Sequence, residues 1–276
     1  MLYKNLKENL FAIVEYPQAV QQAVTETMRY WEEFCKLPQE VKDLFIYPNH
    51  EEKFDVGYRR REREKGRDDK EYFHFCMYNS LFLLDYSEAK IEYEKMVSIR
   101  NFFQSAEKLH NLVSNKMIRD IVPTLEDGSD GKLTGLTGEV FPRIGLQVIR
   151  FLHYTPSSET NSDIIGDAHY DRSGFTLHLY ESGPGLELLP LSEKGKKVED
   201  MQWTEAPMSE NQTIIFTGYQ ISQMSGNDLK PTWHRVKQKE SDEKERFSAV
   251  MFNALMTVSS YNENERSQEL VPGYGY

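Results

Sequence analysis

The amino-acid sequence predicts a mainly β chain with helical additions, a double-sheet jelly roll or barrel supported by N-terminal helices. Apolar residues recur at helical spacing through much of the first 124 residues, whereas from Leu146 onward they fall in short alternating or β-branched runs. Between the two lies a glycine-rich stretch at 125–138, LEDGSDGKLTGLTG, expected to be a flexible crossing between layers. Many short strands broken by turn residues are the pattern of two facing antiparallel sheets. The expected division is a helical support region over 1–124 and a β core with a C-terminal tail over 125–276, together one structural unit with one large hydrophobic core.

The segment Leu10 to Val14 is apolar enough for a short strand. Pro17 then suits a helix start, because its fixed φ fits the first turn and its missing N–H is not needed there. Val20, Val24, Met28, Trp31 and Cys35 follow at intervals of three and four, which puts them on one helical face. A second helix is expected from Ser87 as N-cap through Met96, Phe103, Ala106, Leu109, Val113 and Met117, until Pro123 stops it. The run RRREREKGRDDKE at 59–71 holds seven basic and five acidic side chains, so it nearly cancels and reads as a solvated loop or frayed helix. Strands are expected within LQVIRFLHYT, FTLHLY, LELLP, TIIFTG and RFSAVMFNAL, with turns at SGPG and MSGND. The last sixteen residues, YNENERSQELVPGYGY, are polar and glycine-ended, as in a loose tail or flap.

Composition narrows the function classes. With 44 acidic against 33 basic residues, the formal charge of -11 repels a phosphate backbone, so no nucleic-acid partner is expected. The first twenty residues carry Lys4, Lys7, Glu8 and Glu15 and lack the uninterrupted apolar centre of a secretory signal. No stretch reaches transmembrane length, so no membrane partner is expected either. Cys35 and Cys76 are expected to stay reduced in a cytoplasmic setting and are too few and too separated in sequence for a zinc site.

A few residues carry the chemistry. His169 and Asp171 stand two apart in GDAHYDRSG at a strand edge, where a period of two sends both to one face and lets them touch one ion. Alone, such a pair is common. His234, in KPTWHRV on a later strand, could complete two imidazoles and one carboxylate on one face of a metal, leaving the opposite positions open for reaction. Twelve residues on, Arg246 and Ser248 share a face of an apolar strand, and a buried guanidinium there requires a carboxylate from the protein or from a ligand. Counted together with the three metal-type residues, a ligand carboxylate is the better reading, with Ser248 adding a hydroxyl donor.

In order and spacing, HYDRSGFTLHLY, GPGLELL, IIFTGYQISQMSGNDLKPTWHRV and RFSAVMFNA resemble the isopenicillin N synthase-like branch of the iron(II)- and 2-oxoglutarate-dependent dioxygenases. The resemblance is detailed over 146–256 and looser at WEEFCKLPQEVKDLF and KEYFHF. It implies a double-stranded β-helix with Fe(II) held by His169, Asp171 and His234, which are thereby the catalytic residues. Arg246 and Ser248 match the pair that binds the distal carboxylate of 2-oxoglutarate, and Tyr154 matches a tyrosine that reaches the same group. Where many relatives place an asparagine two residues before that tyrosine, this chain has Leu152, which removes one polar contact. The implied reaction couples oxidative decarboxylation of 2-oxoglutarate by O2 to hydroxylation, or a related oxidation, of a small-molecule substrate, with ascorbate as an auxiliary reductant. The alternatives are an iron oxidase of the same fold that uses no 2-oxoglutarate and a cupin-like binding protein without catalysis.

Other residues are less decisive. His178 alternates in phase with Thr176 and Tyr180 and is expected to take no part in metal binding. His153 points away from Tyr154, and His74, in EYFHF, suits a packed core position. Arg150 shares the face of Tyr154, where it could meet a substrate carboxylate or form a structural ion pair.

Overall fold

A computed structural model describes residues 1–46, 56–61, 70–88, 91–155, 164–193, 196, 200–209, 211–238 and 245–259. The chain opens with helix α1 (Leu2–Asn9), strand β1 (Phe11–Glu15), helix α2 (Gln18–Cys35) and the short helix α3 (Gln39–Lys42). It continues with β2 (Gly57–Arg61), β3 (Lys70–Phe75), α4 (Met77–Glu88), α5 (Tyr93–Val113), α6 (Arg119–Asp127) and α7 (Leu136–Val140). Then follow β4 (Val148–Tyr154), β5 (Ile164–His169), β6 (Phe175–Glu181), β7 (Leu186–Leu188), β8 (Thr204–Glu205), β9 (Gln212–Thr217), α8 (Tyr219–Met224), β10 (His234–Lys237) and β11 (Arg246–Asn253).

The strands form two antiparallel sheets, one of seven in the order β1-β9-β6-β11-β4-β3-β2 and one of four in the order β5-β10-β7-β8. This is the expected jelly roll with helical additions. Alternation along each strand decides what lies where. In β11, Phe247, Ala249 and Met251 join the main hydrophobic core beneath the helices, and so do Ile149 and Phe151 of β4. Arg246, Ser248, Val250 and Phe252 therefore face the interior of the roll, together with Arg150, Leu152 and Tyr154 of β4. A smaller core of Leu186, Leu188, Ala206, Ile214 and Phe216 brings residues of both sheets together.

The outer support is aromatic. Trp31, Phe34, Phe73, Phe102 and Phe151 are fully buried, and Phe102 lies 5.2 Å from Phe151 and 5.3 Å from Phe34, measured between ring centroids. The indole of Trp31 also donates to the Leu152 carbonyl at 3.2 Å, which ties α2 to the back of β4. Each buried ring contributes about 1.5–3 kcal/mol, so α2 and α5 fix the curvature of the sheet that carries the interior residues.

Several expectations are corrected. Ser87 does not cap a helix, because it lies within α4, and α5 begins only after Glu92. Pro123 does not stop the helical run but sits inside α6. A π-type turn at Ser114–Ile118 widens the backbone just before α6, a local adjustment of the kind that accommodates a proline. The charged run at 59–71 is neither loop nor helix at its ends: Arg59 pairs with Tyr72 and Arg61 with Lys70, while 62–69 lie outside the described residues. Its strand pattern is masked because charged side chains occupy an edge ribbon.

The region before residue 124 is not purely helical either, since β1 pairs with β9 and β3 with β4. The glycine-rich stretch at 125–138 is tied down: the Glu126 carboxylate accepts from the backbone N–H of Gly135 at 2.6 Å and of Thr137 at 2.9 Å, and Leu133 and Leu136 are buried. The C-terminal tail from 260 lies outside the described residues. Among the described residues, no helix is long and apolar enough to cross a membrane.

Candidate active site

His169 ends β5 and His234 begins β10, and the two are direct partners across the antiparallel pair. Their ring centroids lie 4.3 Å apart. Asp171 follows β5 in a turn that is held by backbone bonds to the start of α8: Tyr219 N–H donates to the Asp171 carbonyl at 2.8 Å and Gln220 N–H to that of Ser173 at 3.1 Å. Gly218 permits this approach, since a Cβ there would stand 2.1 Å from the Ser173 carbonyl oxygen.

The result is convergence. His169 Nε2 lies 3.8 Å and His234 Nε2 3.9 Å from the same oxygen, Asp171 Oδ1, and donor atoms of the three residues fall within 4.8 Å of one another. The other ring nitrogens are occupied, because Nδ1 of His169 donates to the Asp167 carbonyl at 2.7 Å and Nδ1 of His234 to the Thr232 carbonyl at 3.1 Å. A carbonyl can only accept, so the proton sits on Nδ1 and the Nε2 lone pairs are left facing Asp171. Burial and the neighbouring His234 push the His169 imidazole down, which keeps that lone pair available at neutral pH. Thr176 Oγ1 donates to Asp171 Oδ2 at 2.5 Å and orients the carboxylate. Two neutral imidazoles and an oriented carboxylate suit a divalent first-row metal, iron(II) included.

Deeper in the roll, Arg246 is buried and pairs across strands with Tyr154, while Ser248 pairs with both Leu152 and Glu181. The guanidinium holds a protein carboxylate: Arg246 Nη2 donates to Glu181 Oε2 at 2.5 Å, and Nη1 donates to the carbonyls of Gly183 and Pro184. Burial would raise the Glu181 carboxyl, but His178 and Arg246 outweigh it and hold it below the usual range. His178 Nε2 is buried 3.6 Å from Glu181 Oε2 and, with Arg246 Nε, has no hydrogen-bond partner among the described residues. Sequence reasoning missed Glu181 because strict alternation puts Tyr180 beside His178. The ladder to β11 is irregular at Ala249/Val250, so that Glu181 partners Ser248 and Tyr180 moves to the helix side. Tyr154 is itself buried, with Lys70 Nζ 5.5 Å from its ring centroid.

A second group of metal-type donors, Cys35, Glu71 and His153, lies behind β4 on the helix side. Cys35, far in sequence from Glu71 and His153, is thus not isolated in space. Here Glu71 already accepts from Lys42 Nζ and Tyr58 Oη, both at 2.6 Å, and from His153 Nδ1 at 2.7 Å. An ammonium against the carboxylate makes this a structural ion-pair network.

Residues 144–254 match the family model described as the 2OG-Fe(II) oxygenase superfamily. Over that stretch the chain is similar to the oxygenases of that superfamily. Among curated proteins, the chain is 27% identical over 128 residues to a 2-oxoglutarate-dependent dioxygenase of Aspergillus niger, covering 46% of the chain and 38% of the relative. It is 24% identical over 232 residues to flavonol synthase 1 of Crocosmia x crocosmiiflora, covering 82% of the chain and 63% of the synthase. The chain thus spans less than two thirds of either relative. A full-length Neurospora crassa protein, solved in complex with alpha-KG, shares the oxygenase fold with a TM-score of 0.72 at 17% identity, over 96% of this chain and 83% of that one.

Proposed function

We propose that the chain is an iron(II)- and 2-oxoglutarate-dependent dioxygenase that couples oxidative decarboxylation of 2-oxoglutarate by O2 to hydroxylation, or a related oxidation, of a small-molecule substrate. One observation carries the reading: two imidazole Nε2 atoms and one carboxylate oxygen converge while each Nδ1 is locked on a carbonyl. His169, Asp171 and His234 would hold the iron, which supplies the Lewis acidity and redox chemistry that protein side chains lack. Thr176 keeps Asp171 in one rotamer, and Leu186, Leu188 and Phe216 keep the neighbouring interior dry. Arg246, Ser248 and Tyr154 face the same interior and offer donors for a carboxylate, which is what 2-oxoglutarate requires at its far end. The order of the motifs supports the isopenicillin N synthase-like branch.

Anaerobic titration of the purified protein is expected to give one iron(II) per chain, and His169→Ala and Asp171→Ala should each weaken binding by at least roughly tenfold with thermal stability retained. Wild-type iron affinity in both variants would remove these residues from the metal site. A second reading, an iron oxidase of the same fold that uses no 2-oxoglutarate, is favoured by the Glu181 carboxylate on Arg246. Oxygen uptake with and without 2-oxoglutarate separates the two.

A further inference from the structure

We infer that Arg150 is the recognition point for a carboxylate on the substrate, so that the chain acts on a small organic acid. The inference rests on the oxygenase reading for the nature of the site. It begins from a cavity of about 310 Å3, whose lining includes His74, Arg143, Gln147, Arg150 and Phe252 and, among the described residues, no aspartate or glutamate. In a chain of net charge -11, a cavity with two arginines and no acid is an exception that needs a cause. Arg143 is exposed and within electrostatic reach of Glu139, whereas half-buried Arg150 has no such acid among the described residues, so Arg150 is the cation of this cavity that an anion would complete.

The arginine is held by everything except a carboxylate. Its Nε donates to His74 Nε2, and its guanidinium carbon lies 4.7 Å from the Phe252 ring centroid and 5.3 Å from that of Tyr72. These contacts fix the plane of the guanidinium and leave its two terminal amino groups without a hydrogen bond to any described residue. A fixed plane with a free two-nitrogen edge is the geometry that pairs bidentately with a carboxylate. A structural ion pair, the other reading open for this residue, has no acid to supply it among the described residues.

One strand pair links the cavity to the candidate metal site. Phe252 is the direct partner of Thr176 in the β11–β6 pair, and the Thr176 hydroxyl is bonded to Asp171. An acid anchored on Arg150 and lying along Phe252 would thus present its apolar body one strand away from the metal ligands. The volume lies at the small end of ligand pockets, which fits a single-ring or short-chain acid.

The test uses the whole protein loaded with manganese(II), an unreactive and paramagnetic substitute, in saturating 2-oxoglutarate without O2. Benzoate and phenylacetate are the probes, with benzamide as neutral control and phenyl phosphate as the other anion, and binding is read by manganese-induced relaxation of the probe protons. The carboxylates are expected to bind near the metal, with benzamide weaker by roughly tenfold or more. Arg150→Gln should remove that preference while leaving manganese affinity unchanged and the protein folded, as shown by a retained cooperative melting transition. Arg143→Gln, an exposed change that leaves the packing alone, should weaken the carboxylates several-fold.

Equal binding of benzoate and benzamide, or carboxylate affinity untouched by both variants, would overturn the inference. So would a preference for phenyl phosphate, or loss of 2-oxoglutarate binding in Arg150→Gln, which would give this arginine to the cosubstrate. Absence of manganese binding alongside Arg150-dependent binding of benzoate, read by calorimetry on the metal-free protein, would sink the oxygenase reading and leave the anion site standing.

Discussion

Glu181 is the side chain on which the strength of the proposed cosubstrate site turns. Its carboxylate holds the Arg246 guanidinium inside the roll, so an incoming carboxylate must replace or rearrange a charge-assisted bond worth about 1.5–3 kcal/mol. Glu181→Gln keeps the shape and deletes the charge. The expected outcome is roughly tenfold tighter binding of 2-oxoglutarate to the manganese-loaded protein, measured by calorimetry, with a modest loss of stability in its absence. Weaker binding in the variant would mean that Glu181 positions Arg246 for the cosubstrate instead of competing for it.

At the scale of elements, the candidate metal site depends on how closely the turn after β5 meets the β9–α8 junction. Gly218 N–H donates to the Gly174 carbonyl at 2.8 Å, alongside the bonds from Tyr219 and Gln220, and there is no space for a side chain at that crossing. Gly218→Ala must push the turn outward and carry Asp171 with it. Overpacking of this kind costs about 1–3 kcal/mol, and a displaced first ligand should cost metal affinity in addition. The paired measurement is denaturant unfolding and manganese titration, and unchanged metal affinity would show that the turn can yield without moving Asp171.

For the molecule as a whole, the helical layer and the larger sheet are joined through a buried charge as well as through aromatic rings. Burial alone would raise the Glu71 carboxyl, but hydrogen bonds from His153, Lys42 and Tyr58 outweigh it and hold it at about 2. A carboxylate with a depressed folded-state value adds stability above its unfolded value, near 4.5, and loses it as pH falls toward 2. Glu71→Gln strands Lys42 in the interior, so at pH 7 the variant should be less stable by about 3–5 kcal/mol. That gap should narrow below pH 4.5 as the carboxylate of the unfolded wild-type chain becomes protonated while that of the folded chain stays ionised. Urea unfolding of both proteins along this pH series checks it, and a gap that is independent of pH would mean that the lost packing, not the charge, is responsible.

The residues of the candidate metal site and the strands beside them are legible in the sequence, because alternation, turn residues and two short His-containing motifs are local signals. His169, Asp171 and His234 could be named from spacing, as could the shared face of Arg246 and Ser248. Only the tertiary structure decided which partners these groups meet. The irregularity between β6 and β11 selects Glu181 for Arg246, and strand pairing sets Arg150 against His74. Neither is written in a neighbouring residue. The same holds for the charged ribbon β2–β3, whose strands exist because β4 offers them an edge. Backbone pattern is set by each residue and its near neighbours, whereas charge pairing and cavity lining depend on segments that meet only when the sheets close.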